Sequence, residues 1–254
     1  MKHSPGLFRH QYGILGYALR CYYEFYGSTE ITDKIIDRYH ELVKLSERYK
    51  LGIPLIIEAD GLMSDSWDDV YGKFSAKDMK IFRAKILADA KGVDAVSYLE
   101  ERYREHAAKS KEDASKEEFC DNEYYGPLYN FDKDDKGKTI PPEVVIAMFH
   151  AKHSWEMPAW APQLLEDQPK NHCLVAVFKY WSQKYGAVPI ATSSRHWDFT
   201  VEFPPKTAEE AYALAKEQFA LSYQMAGPNE DKTDSVQELA DKLLNSPTWK
   251  VWFD

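Results

Sequence analysis

Cysteine is scarce in this chain. Cys21, Cys120 and Cys173 are scattered over 254 residues and never form a C-x-x-C pair. Such a set suits neither a disulfide framework nor a zinc framework, so reduced thiols and a cytoplasmic location are expected. Long apolar runs are missing too. Every uninterrupted stretch falls far short of the roughly 20 residues of a membrane span, and no membrane association is expected. The first 27 residues carry Lys2, Arg9 and Arg20 but are broken by Pro5, Gly6, Gly13 and Gly16, so no signal-peptide core is read there. Positive charge is in deficit. The balance of 32 Lys and Arg against 41 Asp and Glu, net −9, argues against a general phosphate-backbone binder, and no nucleic-acid partner is expected. A G-x-S-x-G elbow, a Walker loop and a dinucleotide fingerprint are likewise absent.

What is present can build a core. Hydrophobic residues make up 44% of the chain, and the length suits one large domain or two small ones. From Asp33 to Lys50, Ile35, Tyr39, Leu42, Ser46 and Tyr49 share one helical face. Gly52 ends that helix, and Ile53 to Glu58 reads as a buried strand with Pro54 near its start. Asp60-Gly61 marks a turn, a second helix covers Ala76 to Lys91, and a third runs from about Asp94 into the charged stretch Glu100 to Glu123.

The second half is more regular. Val144 to Phe149 reads as a central strand. Leu174, Val177, Phe178, Trp181 and Tyr185 form a helical stripe closed by Gly186. Ala187 to Thr192 and His196 to Phe203 make a hairpin around Ser193-Ser194-Arg195. In its second strand Trp197, Phe199, Val201 and Phe203 face inward, while His196, Asp198, Thr200 and Glu202 form a half-exposed polar face. Thr207 and Glu210 make a capping box for a helix that buries Ala211, Leu214, Ala215 and Phe219. A further helix carries Val236, Leu239, Ala240, Leu243 and Leu244, and Trp249 to Phe253 reads as a final strand.

Two patterns look like metal sites. His150, His153 and Glu156 are spaced three apart, which on a helix would share a face. Here they leave a strand into a loop containing Trp and Pro, where that spacing does not converge. Asp132 to Glu143 resembles a calcium loop, but Lys136 occupies a ligand position and no helix enters it. Both are read as unliganded, and no metal or cofactor is expected. Trp155 and Trp160 flank Pro158 in a stretch that joins a strand end to a helix start, where α/β sheets usually place their sites. Trp155, Glu156, Trp160, Asn171 and Cys173 are therefore the expected binding residues.

Several segments carry a resemblance. They are W-E-M-P-A-W-A-P at 155–162, N-H-C at 171–173, F-K-Y-W-S-Q-K-Y-G-A at 178–187, P-P-K-T-A-E-E-A-Y-A-L-A-K-E-Q-F-A at 204–220 and the closing W-K-V-W-F-D. In this order they resemble the bacterial domain of unknown function 4253 family over roughly the last 100 residues. The resemblance implies a domain identity and a bacterial or phage source, and it brings no established catalytic residues. The chain departs from the family pattern at two places. Leu165 to Lys170 stands where a Gly-Gly-Trp is usual, and Ser222-Tyr223-Gln224 replaces a Cys-Pro-Asp.

Together these features predict a single α/β domain with a mixed sheet of about five strands flanked by helices. An N-terminal arm is expected over 1–27, a globular domain over 28–254 and a family-like core over 143–254. Two function classes follow. One is an intracellular binding protein, such as an immunity or antagonist protein occluding a basic toxin or defence enzyme, since acidic surfaces suit basic partners. The other is a hydrolase or small-ligand-binding enzyme with a pocket around Glu156, His153, Asn171 and Cys173, which a buried Glu or an exposed low-pKa Cys there would favour. The binding protein is preferred and catalysis is not expected.

Overall fold

The computed structural model describes residues 21–26, 32–58, 74–113, 132–133, 139–140, 144–163, 169–222 and 236–253. The Asp60-Gly61 turn, most of the charged stretch beyond Asp113 and the ligand positions inside the 132–143 loop lie outside these residues.

The first helix, α1 (Thr32–Tyr49), lies within a residue or so of its predicted bounds and buries Ile35, Tyr39 and Leu42. Gly52 then adopts φ +115, a region closed to most residues, and a Cβ there would meet the Phe149 carbonyl oxygen at 2.7 Å. That close approach lets β2 (Ile53–Glu58) run beside β5 (Val144–Phe149). Both strands are almost wholly buried, as their continuous apolar runs require. Pro54 is tolerated because the ladder to the next strand begins only at Ile56.

The sheet is mixed, with order β1-β5-β2-β6-β7-β8. It contains β1 (Tyr22–Tyr26), β6 (Val188–Thr192), β7 (His196–Thr200) and β8 (Thr248–Trp252), and only the β2–β6 pairing is parallel. Strand β1 adds one to the expected count, so part of the stretch read as an arm is an edge of the sheet. It is tied down by Glu24, whose carboxylate receives a bidentate pair of bonds from Arg38 of α1 and one from the Tyr26 hydroxyl. These bonds hold the Glu24 carboxyl down at about 2. Strands β3 (Asp132–Lys133) and β4 (Thr139–Ile140) form a separate two-stranded antiparallel ladder.

The α-helices that follow α1 are α2 (Ala76–Asp89), α3 (Ala95–Asp113), α4 (Met157–Trp160), α5 (Asn171–Tyr185), α6 (Ala208–Leu221) and α7 (Val236–Leu243) among the described residues. One face of the sheet meets the large core. There Phe178 and Trp181 of α5 pack on Trp197, Phe199 and Trp249 of the strands, with Leu214, Ala215, Leu239 and Leu243 from α6 and α7. The other face meets α1 through Ile56, Val144, Ile146, Met148 and Ile190. Gly186 closes α5 at φ +63, where a Cβ would strike that of Glu202.

Two expectations need correction. Phe203 is 59% exposed, because β7 ends at Thr200 and the chain then bends across the end of α5, with Phe203 N–H bonding the Tyr185 carbonyl. The polar face of β7 is not half-exposed: His196 and Asp198 are 2% and 1% exposed.

The Thr207 capping box is formed on both sides, with Thr207 accepting from Glu210 N–H and Glu210 accepting from Thr207 N–H. Thr207→Ala leaves one helix-start donor to water and is expected to cost about 1 kcal/mol in chemical denaturation. An unchanged midpoint would show that this cap does not contribute.

Candidate functional site

The residues expected to form a binding loop are mostly occupied with holding the fold together. Trp155 and Glu156 sit in a 3-10 turn, and Trp160 ends the short helix α4. Trp155 is half-buried and stacks on His153 at 4.0 Å. Glu156 accepts the Lys152 backbone N–H at 3.0 Å. Trp160 packs on Phe149, with the Arg83 guanidinium 3.9 Å from its ring centre. Asn171 and Cys173 lie in the first turn of α5 rather than in a loop. The Asn171 amide bonds both the N–H and the carbonyl of Gln163, at 3.0 and 2.7 Å. Cys173 is buried, and burial pushes its thiol above the usual value despite a bond from Tyr98. Each of these five side chains is thus held by its own neighbours.

Gln163, which carries no signal in the sequence, connects this segment to the β6–β7 hairpin. Its amide donates to the carbonyls of Ser193 and His196 at 3.1 and 3.4 Å. Thr192 Oγ1 donates to the same His196 carbonyl at 3.0 Å. The loop therefore acts as scaffold for a hairpin whose own side chains are chemically richer.

At that hairpin Glu58, His196 and Asp198 meet. They are the one group of metal-ligating side chains, all within 4.8 Å of one another, found among the described residues. Glu58 ends β2 and His196 begins β7, beside the carboxyl end of the parallel β2–β6 pair. Strand alternation turns His196 and Asp198 away from the large core, since Trp197 and Phe199 face it. Strand β8 supplies Lys250 opposite Asp198 and Trp252 opposite His196. The Lys250 ammonium lies 3.6 Å from Asp198 Oδ1, and the Trp252 ring runs parallel to the imidazole. Burial first, and Lys250 second, hold the His196 imidazole well below its usual pKa, so it is neutral at pH 7.

An open groove lies on the other side of the sheet, between α3, α5 and α6. It encloses about 450 Å³ and is lined by Val96, Leu99, Tyr103 and Arg104 of α3, Tyr180 of α5, and Ala213, Lys216 and Glu217 of α6. Its floor is fixed by Glu217, which receives the Tyr180 hydroxyl, the Trp181 indole N–H and Lys184 at 2.8–2.9 Å. Lys216 lies over the Tyr103 and Tyr212 rings.

Residues 145–254 match the family described as Domain of unknown function (DUF4253). No curated protein and no solved structure matches the chain. The DUF4253 segment holds β5 from its second residue, β6 to β8 and α4 to α7, and hence His196, Asp198, Lys250 and the α5–α6 wall of the groove. Glu58 and the α3 wall come from outside it, so both the cluster and the groove are completed by the N-terminal half. Among the described residues no helix is long and apolar enough to cross a membrane.

Proposed function

We propose that the chain is a binding protein that engages a protein partner through the α3–α5–α6 groove, as an immunity or antagonist protein occluding a toxin or defence enzyme would. The groove is the observation that carries this reading. Its Tyr103 and Tyr180 rings and its Arg104 are residue types that anchor protein interfaces, and they stand beside the exposed Val96 on helices packed over the large core. A net charge of −9 favours a basic partner. A bacterial or phage cytoplasm is the setting this proposal implies. The alternative, a hydrolase or small-ligand enzyme built on Glu156, Asn171 and Cys173, has weaker support. The Cys173 thiol is buried and raised rather than exposed and activated, and the Asn171 amide is already spent on Gln163.

Filling the groove tests this reading. Ala213 is exposed on α6, and Ala213→Arg places a long charged side chain in the groove without touching the core. Capture of the partner from native lysate is expected to fall at least about tenfold, as for an interface hot spot, with an unchanged melting curve. Undiminished capture by Ala213→Arg would move the interface elsewhere.

A further inference from the structure

We propose that Glu58, His196 and Asp198 form a binding site for a zinc-class divalent cation, with Ser193 orienting the imidazole and a fourth position left for water or an anion. This site lies on the opposite face of the sheet from the groove and stands independently of the binding reading.

The distances carry the argument. His196 Nε2 is 3.5 Å from Asp198 Oδ2 and 3.7 Å from Glu58 Oε1. A hydrogen bond between such atoms would close to about 2.7–3.2 Å. Ligand atoms around a tetrahedral ion with bonds of about 2.0–2.2 Å instead stand roughly 3.3–3.6 Å apart. The observed separations are too long for the first arrangement and close to the second. An octahedral magnesium ion would draw neighbouring ligands to about 2.9 Å, so the spacing favours the tetrahedral class.

The imidazole points the same way. His196 is 2% exposed, and its Nε2 makes no hydrogen bond. Without an ion, that nitrogen either carries a proton with no acceptor in reach or aims its lone pair at two carboxylates, and both arrangements are costly in a buried site. The other ring nitrogen, Nδ1, is 2.7 Å from Ser193 Oγ, which also accepts the Arg195 backbone N–H at 3.1 Å. A serine oxygen that accepts Nδ1–H leaves Nε2 as the lone-pair donor, the arrangement by which outer partners orient metal-binding histidines. The two carboxylates balance the charge of a divalent ion. His150, His153 and Glu156 are not members of this cluster.

The test uses the full chain, stripped with a chelator and titrated with Zn2+ or Co2+ alone. The expected result is about one Zn2+ per chain, a higher melting temperature with Zn2+, and the intense visible bands of four-coordinate Co2+. Ser193→Ala is expected to weaken Zn2+ binding roughly 10–100-fold. Glu58→Gln should abolish the four-coordinate Co2+ spectrum, whereas His153→Gln should leave it intact. The wild-type spectrum and the graded Ser193→Ala effect stand even if Glu58→Gln fails to fold. Failure of the wild-type chain to take up stoichiometric metal, the weak bands of six-coordinate Co2+, or uptake that survives Glu58→Gln and disappears in His153→Gln would each overturn the assignment.

Discussion

Trp181→Ala is expected to lose about 3–5 kcal/mol of stability, in the range for deleting a large buried aromatic. Trp181 is fully buried where α5 crosses the sheet, with its ring centre 5.8–6.2 Å from those of Phe178, Phe199 and Trp249. The neighbours come from one helix and two strands, and they cannot all move into the space the indole leaves. A second effect adds to the cavity. The Trp181 N–H donates to Glu217 at 2.8 Å, and its loss removes one of the donors around that carboxylate. Trp181→Phe separates the two, keeping most of the packing and deleting only the hydrogen bond, so it should fall well short of the Ala variant. Ile81→Ala, at a position 58% exposed, should be nearly neutral. If Trp181→Ala proved as mild as Ile81→Ala in urea denaturation, the large core would not be organised around this residue.

Lys250→Met is expected to be comparably damaging, about 3–5 kcal/mol, when measured with a chelator present. Lys250 stands across the β7–β8 ladder from Asp198, and its ammonium lies 3.6 Å from a carboxylate that is 1% exposed. Methionine preserves most of the volume but removes the ammonium beside Asp198. Deleting one partner of a buried pair leaves the other charge uncompensated, which costs more than replacing both. The double variant Lys250→Met, Asp198→Asn should therefore recover part of the loss, and a double-mutant cycle reads the coupling directly. A cost no greater than that of a surface lysine change, within about 0.5 kcal/mol, would show that the pair is solvated and unimportant.

Most elements are legible in the sequence, because apolar spacing and punctuation act locally. Gly186 ends α5 by its left-handed φ, and Thr207 with Glu210 announces its own cap, whereas α1 closes at Lys50 (φ +56), two residues before the Gly52 that marks its end in the sequence. The cap of α2 is less visible, because Ser75 closes its box with Asp78 rather than with Glu or Gln. Strand β1 escapes sequence reading because Tyr22-Tyr23-Glu24-Phe25-Tyr26 does not alternate, and its place depends on Arg38 and on pairing with β5. The buried cluster is hidden for a different reason. Alternation along His196–Phe203 shows which residues share a face, but it carries no information on whether that face is covered. Nothing local links Glu58 to His196, and only the parallel β2–β6 pairing brings them together. The segment from Trp155 to Cys173 stands out for its aromatics and polar residues. What these do cannot be read from spacing, because Gln163, Phe149 and Arg83 are the partners that engage them.

Photo-crosslinking from the groove tests the partner-binding reading most directly. A photoreactive residue at Val96, which is 46% exposed on α3, would be compared with one at Lys85 on α2, outside the groove lining. The account predicts a single dominant adduct from Val96, suppressed by adding Ala213→Arg to the same chain, and none from Lys85. An adduct that forms equally from both positions, or one that persists at full strength in the chain carrying Ala213→Arg, would contradict it.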